Sequence, residues 1–394
     1  MKPCGKPIMV IMIVLLALIP AACGIELTGG VNANTFDSDG MLAGVTSSGS
    51  GGSSSVVFMQ GDTELNKNVQ VNNAQLQSTI NVLHGTIQKA VDGANDGDTI
   101  RVWPGLYKEN VKVGKSLSII GSGASLTKVD GQGLGPVFET TATVDLTLAK
   151  MTIRNGAGGN HNGWLCGGGI NDWSGSHLKV DSCILTNNHC KHFGGAIFQH
   201  NGEPEVLGEL EVLNSKFIGN SAGYGGGAIQ EESGKATIYN CEFRENIAHG
   251  WGGGAINDPS HYVGGLSVSN SQFYQNSADG ALYGTIGYGG AISSITNANI
   301  RNSIFEGNMA LDGGAIASYA GDDFTMTVEG CYLNGNTASN TGGAIYTRSP
   351  LTVKGDIIIK NKAANGGGIY WIGTAPTITR SLIFGNTPNN IAHA

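Results

Sequence analysis

The residues with the most chemical potential in this chain flank a repeated phrase, Gly-Gly-Ala-Ile. The second residue past its isoleucine is Asp172, Gln199, Glu231 and Asp258 in successive copies, with Glu232 adjacent. Glu231 and Asp258, delivered by neighbouring repeats, could form the pair about 5 Å apart that a retaining glycosidase uses, or share a Ca2+. Solvated acids at a chain corner are the competing reading. Just before the phrase stand Phe193, Tyr224, Trp251 and Tyr288, and Trp164 lies close to the same position. Rings stacked one per repeat would make a strip suited to the apolar C–H faces of sugars. The alternative is an ordinary corner stack covering the core.

Other groups converge less. His161, His177, His189, His192 and His200 cluster early, and the run His189-Cys190-Lys191-His192 matches no zinc spacing, so no metal site is expected. A lyase base would be Arg or Lys, yet Arg154 and Arg244 sit in or beside a different phrase from the acids. Asp258-Pro259-Ser260-His261 only touches on the Asp-Pro-His-Asp motif of alginate epimerases. Nothing requires a cofactor. With a formal charge of −8 and no cluster of Lys and Arg, the chain lacks the basic footprint that nucleic acid demands.

The elements positioning these groups are repeats. The phrase's isoleucines are Ile170, Ile197, Ile229, Ile256, Ile292, Ile316, Ile345 and Ile369, spaced by 24 to 36 residues, which fits one coil of a β-solenoid per copy. Between them runs a second phrase, an apolar residue followed three positions later by asparagine: Phe217 with Asn220, Phe243 with Asn246, Phe273 with Asn276 and Phe305 with Asn308. Ile184 with Asn187, Leu333 with Asn336, Ile358 with Asn361 and Ile383 with Asn386 extend it. Short strands such as Leu210 to Leu213, Ala236 to Tyr239 and Leu266 to Val268 would form coil sides, with glycine and asparagine at the bends. Stacked about 4.8 Å apart, the asparagines are expected to bond along the axis as a structural ladder. Cys183, Cys241 and Cys331 fall where Ser215, Ser271 and Ser303 stand in other coils and read as small stacking residues; Cys166 with Cys190 is the one pair placed for a bridge.

The N-terminus reads as an export signal: Lys2 and Lys6, an apolar run from Ile8 to Ile19, then Ala21 and Ala22. Pro20-Ala21-Ala22-Cys23 matches the last three positions of a lipobox, which would put lipid on Cys23 and make an anchor the sole membrane link; plain cleavage is the alternative. Residues 1–23 are therefore expected to be a signal, 24–78 a flexible Ser/Gly/Asn-rich tether and 79–394 one all-β domain. Ile87, Ala90, Val91 and Ala94 mark one face of a short helix, followed by Gly97-Asp98-Thr99-Ile100. This opening resembles that of pectin-lyase-like right-handed parallel β-helices, in which a helix shields the first coil. About eleven coils are expected in all.

The alternation of the two phrases over about residues 167–388 resembles the polymorphic outer membrane protein repeat. The resemblance implies a surface rod, since members are surface proteins and several are autotransported adhesins. Those carry a membrane barrel that this chain, ending at Ala394, is not expected to supply. The expectation is an exported protein, at the cell surface, in the outer membrane or extracellular, that binds a glycan or surface protein without catalysis. A polysaccharide lyase or glycoside hydrolase is the first alternative, and a stiff structural spacer the second.

Overall fold

The computed structural model describes residues 53–60, 63–72, 75–200, 208–232, 234–259, 264–282 and 287–394. The expected signal, Cys23 and residues 24–52 of the expected tether lie outside them. The chain divides into two compact units, residues 1–85 and 86–394. In the first, strands Ser53–Gln60, Thr63–Asn72 and Gln75–His84 form an antiparallel meander. Most of it falls where a tether was expected. Thr63–Asn72 places Leu65, Val69 and Val71 on one alternating face, interrupted by Lys67, a pattern that suits a strand.

The second unit is a right-handed parallel β-helix, as the repeats predict. Three long sheets each take one strand from every coil and, within this unit, each runs through eleven strands in parallel register. The coil from Gly234 shows the plan. Gly234–Tyr239 enters the first sheet, Glu242–Arg244 the second, and Ile256–Asp258 the third, with the two-residue strand Ile247–Ala248 between the last two.

Inside, like sits on like. Phe217, Phe243, Phe273 and Phe305 occupy one register, fully buried, with successive ring centroids 4.7, 4.8 and 4.7 Å apart and planes within 9°. The eight phrase isoleucines pair coil to coil in the third sheet and are all fully buried. The two glycines before them have separate reasons. The first takes φ between +60 and +68° in all eight phrases, which favours glycine. The second, Gly254 for example, passes so close to the next coil that a Cβ would lie 2.1 Å from the Gly290 carbonyl oxygen.

The asparagine ladder is present with one change. Asn220 accepts on Oδ1 from the Asn188 Nδ2 at 3.1 Å and donates to Asn246 Oδ1 at 2.9 Å, and the chain continues through Asn276, Asn308, Asn336 and Asn361 to Asn386. Each Nδ2 also donates to a carbonyl of the preceding coil, as Asn276 does to Phe243 O at 3.0 Å. The first member is Asn188, not the expected Asn187. Leu185 pairs with Phe217, so the phrase starts one residue later than Ile184 suggests. Asn187 instead turns the corner at φ +53°, where Gly219 and Gly307 stand in other coils.

The opening helix, Ile87–Gly93, buries Ile87, Ala90 and Val91, and Ala94 beyond it is also buried. Thr86 caps its N-terminus through Lys89 N, Glu109 accepts from Ile87 N and Gln88 N at 2.9 and 3.0 Å, and Lys115 Nζ donates to the Val91, Asp92 and Ala94 carbonyls at the other end. These bonds satisfy groups a helix end leaves orphaned.

The Ser/Cys column holds one acid. Cys331 N donates to Asp356 Oδ1 at 2.7 Å, and Asp356 N to Ser381 Oγ at 3.1 Å. Burial, aided by the Glu329 charge, raises the Asp356 carboxyl from 3.8 to about 6 against its backbone hydrogen bonds. A folded-state value above the unfolded one means stability is fully present below the unfolded pKa and lost as pH rises through 6. Asp356→Ser restores the residue found at Ser271, Ser303 and Ser381. Relative to wild type it is expected to gain roughly 2–3 kcal/mol between pH 4 and pH 7.5. Urea melts at both pH values would read this, and an unchanged difference would refute it.

Candidate functional site

The acids and the rings face different media. Along Ile229–Glu231 the isoleucine points into the core, Gln230 outward and Glu231 inward again, because alternate side chains of a strand leave opposite faces. Glu231 is fully buried and Asp258 is 1% exposed, where solvated corner acids or a substrate-facing pair were the two expectations. Glu231 Oε1 accepts from Gly234 N at 2.8 Å; Asp258 Oδ2 accepts from Ser294 Oγ at 3.1 Å and from Thr296 Oγ1. Asp172, also fully buried, accepts from Thr140 Oγ1 at 2.6 Å, Ser174 N and Ser176 N at 2.9 Å, and Gln199 Nε2 at 3.2 Å. The column serves the loops that follow the third sheet. Ser294, Ser318 and Thr347 replace the acids in later coils, where a hydroxyl suffices.

The expected aromatic strip divides in two. Trp164 sits on a hairpin inserted before the first phrase, Gly159–His161 paired with Trp164–Cys166. Its ring lies 5.7 Å from Phe193; Phe193 lies 5.3 Å from Tyr224, and Tyr224 stacks on Trp251 at 5.6 Å with planes 15° apart. His192 joins them, 5.0 Å from Trp164 and 5.1 Å from Tyr224. Trp164 is 43% and Trp251 42% exposed, while Phe193 and Tyr224 are half-buried. Tyr288 belongs to a second group, 4.7 Å from Tyr319 and 6.2 Å from Tyr346, which is 6.2 Å from Tyr370. Bridging shows why: Phe193 aligns with Gly225, Gly252 and Tyr288, so Tyr224 and Trp251 stand one residue earlier than Phe193 and Tyr288. From sequence, His192 was weighed only for a metal, and Tyr319, Tyr346 and Tyr370 were not singled out. Tyr346 and Tyr370 hold the outward place directly after the phrase isoleucine, which was the available signal.

The outer face of the first sheet carries a shallow trough of about 430 Å3 lined by His177, Glu209, Lys235, Ser267, Asn297 and Asn299. Its lysine is paired across coils with Glu209. Lys235 Nζ lies 2.6 Å from Glu209, and His177 3.5 Å from Asp145. The Glu209 carboxylate raises the lysine's pKa, opposite to what a lysine base needs, and the lysine in turn lowers that of Glu209. Arg154 is likewise paired, with Asp130 at 2.9 Å, and Arg244 with Glu242 at 2.9 Å. Among the described residues, no three His, Cys, Asp or Glu side chains come together as a metal set.

Comparison with known proteins agrees with the repeat. The Chlamydia polymorphic membrane protein repeat model matches residues 330–348, which hold Leu333, Asn336 and the Gly342–Ile345 phrase. The chain is 28% identical over 187 residues to "Probable autotransporter YfaL" of Escherichia coli (strain K12), covering 42% of this chain and 14% of that protein. It is 27% identical over 183 residues to "Metabotropic glutamate receptor-like protein R" of Dictyostelium discoideum, covering 46% of this chain and 10% of that one. The match thus spans a seventh or less of each relative. No solved structure matches.

Proposed function

We propose that this chain, a polymorphic-membrane-protein-like repeat protein on a right-handed β-helix, is an exported cell-surface rod that binds a glycan or a surface protein through Trp164, Phe193, Tyr224 and Trp251, without a catalytic step. The surface placement is supported by the repeat match and by the autotransporter relative. The observation that carries the binding role is the exposure of Trp164 and Trp251 within one connected ring cluster. Rings needed only to cover a corner gain nothing from so much water contact, whereas a sugar's C–H face would recover it. The catalytic alternative lacks support from Glu231 and Asp258, which serve loop backbone and hydroxyls. In this proposal no cofactor takes part, and any lipid on Cys23 would serve only as a tether.

Tryptophan emission titrated with neutral and acidic oligosaccharides tests the site. Trp251→Ala and Trp164→Ala are each expected to weaken binding about 10-fold or more, which corresponds to about 1.4 kcal/mol, with unchanged melting. Chelating Ca2+ is expected to leave affinity unaltered. Wild-type affinity in both variants would move the ligand away from these rings.

A further inference from the structure

We infer that Cys166 and Cys190 are joined by a disulfide in the exported protein, stapling the Gly159–Cys166 hairpin to the coil that carries Phe193. The two residues meet across adjacent coils. Cys166 ends the hairpin opposite Gly159, and Cys190 ends the two-residue strand His189–Cys190. Backbone bonds lock the segments together on both sides of Cys166: His192 N donates to Leu165 O at 3.0 Å, and Gly167 N to Phe193 O at 3.0 Å. Leu165 N adds a 2.7 Å bond to His192 Nδ1.

Gly158 marks the meeting point. A Cβ there would lie 2.8 Å from Cys166 N and 2.9 Å from Cys190 Cβ, so those two atoms are within about 6 Å of each other. The Cys190 thiol lies 3.0 Å from the Phe193 carbonyl oxygen, the same oxygen that holds Gly167. That upper bound is of the same order as the 4.4–6.8 Å that separates the Cα atoms of a disulfide. The other described cysteines are committed elsewhere. Cys183, Cys241 and Cys331 stack in the serine column, with their thiols on carbonyls of the preceding coil.

Both thiols are buried, Cys166 fully and Cys190 at 7% exposure. Burial pushes the Cys166 thiol up to about 12 and the Cys190 thiol well above its ordinary value, so the folded dithiol holds almost no thiolate at neutral pH. The bond therefore forms while the hairpin is docking. One thiolate attacks a small-molecule or protein disulfide and releases one thiol; the second thiolate attacks the mixed disulfide and releases the other. Two electrons and two protons pass from the cysteine pair to the acceptor, which leaves as two thiols. The bridge would hold Trp164 against Phe193.

The inference rests on export for its oxidising compartment, but its chemistry is testable apart from location. The full chain, reduced and unfolded, is refolded with oxidised glutathione, then alkylated in denaturant without reductant and digested. The expected result is one cross-linked species containing Cys166 and Cys190, lighter by two hydrogens than the two free peptides together, with Cys183, Cys241 and Cys331 alkylated. Adding reductant is expected to lower the urea midpoint of wild type and leave that of Cys166→Ser/Cys190→Ser unchanged. Alkylated Cys166 and Cys190, or a midpoint indifferent to reductant in both proteins, would overturn the pairing. A bridge formed in vitro but absent from protein recovered from cells would count against export alone.

Discussion

Replacing Asn276 with alanine is expected to destabilise the β-helix by about 3–5 kcal/mol, because the change removes four buried hydrogen bonds at once. The Asn276 amide accepts from Asn246 N and Asn246 Nδ2 and donates to Phe243 O and Asn308 Oδ1, all buried. An alanine methyl answers none of them, and only the bonds of Asn246 Nδ2 to Phe217 O and of Asn276 N to Asn308 Oδ1 persist in this buried corner. The ladder's register gives the sharper comparison. Asn188→Ala should behave like Asn276→Ala. Asn187→Ala should cost only about 1 kcal/mol, the penalty for placing alanine at a left-handed φ. Equal losses at 187 and 188 in urea melts would contradict the assignment of the ladder to Asn188.

Phe273→Ala should cost a similar amount, about 3–5 kcal/mol, for a different reason. The ring is fully buried and stacks on Phe243 at 4.8 Å and Phe305 at 4.7 Å, so its loss opens a cavity and removes two aromatic contacts. Neighbouring coils cannot close over the gap, since their backbone spacing is set by the sheets. Phe273→Leu is expected to lose only about 1 kcal/mol, because Leu185 and Leu333 fill the same register two or three coils away. Chemical melts of the two variants check this, and a leucine variant as weak as the alanine one would show that ring stacking outweighs volume.

The sequence was legible where one residue type recurs at one place. The eight phrase isoleucines and the four phenylalanines all lie in the columns their spacing predicts. It failed where two neighbours satisfy the same pattern. Ile184 with Asn187 and Leu185 with Asn188 are both apolar-to-asparagine pairs three apart, and only strand pairing selects the second. The acids were misread because their burial depends on hydroxyls far along the chain, Thr140 for Asp172 and Thr296 for Asp258. The rings were recognised as a column, yet a one-residue offset at the corner divided them, and that offset lives in the bridging pattern rather than in composition. Ser53–Gln60 and Thr63–Asn72 show the opposite case, strands within residues whose composition argued for a tether.

The most direct test of the central claim, binding through exposed rings without turnover, is to incubate the full chain with a panel of neutral and acidic polysaccharides and record bound fraction together with released reducing or unsaturated ends. The account predicts saturable binding that falls sharply in Trp164→Ala/Trp251→Ala, and no release above a heat-denatured control. Release of new ends by wild type, or binding untouched by loss of both tryptophans, would contradict it.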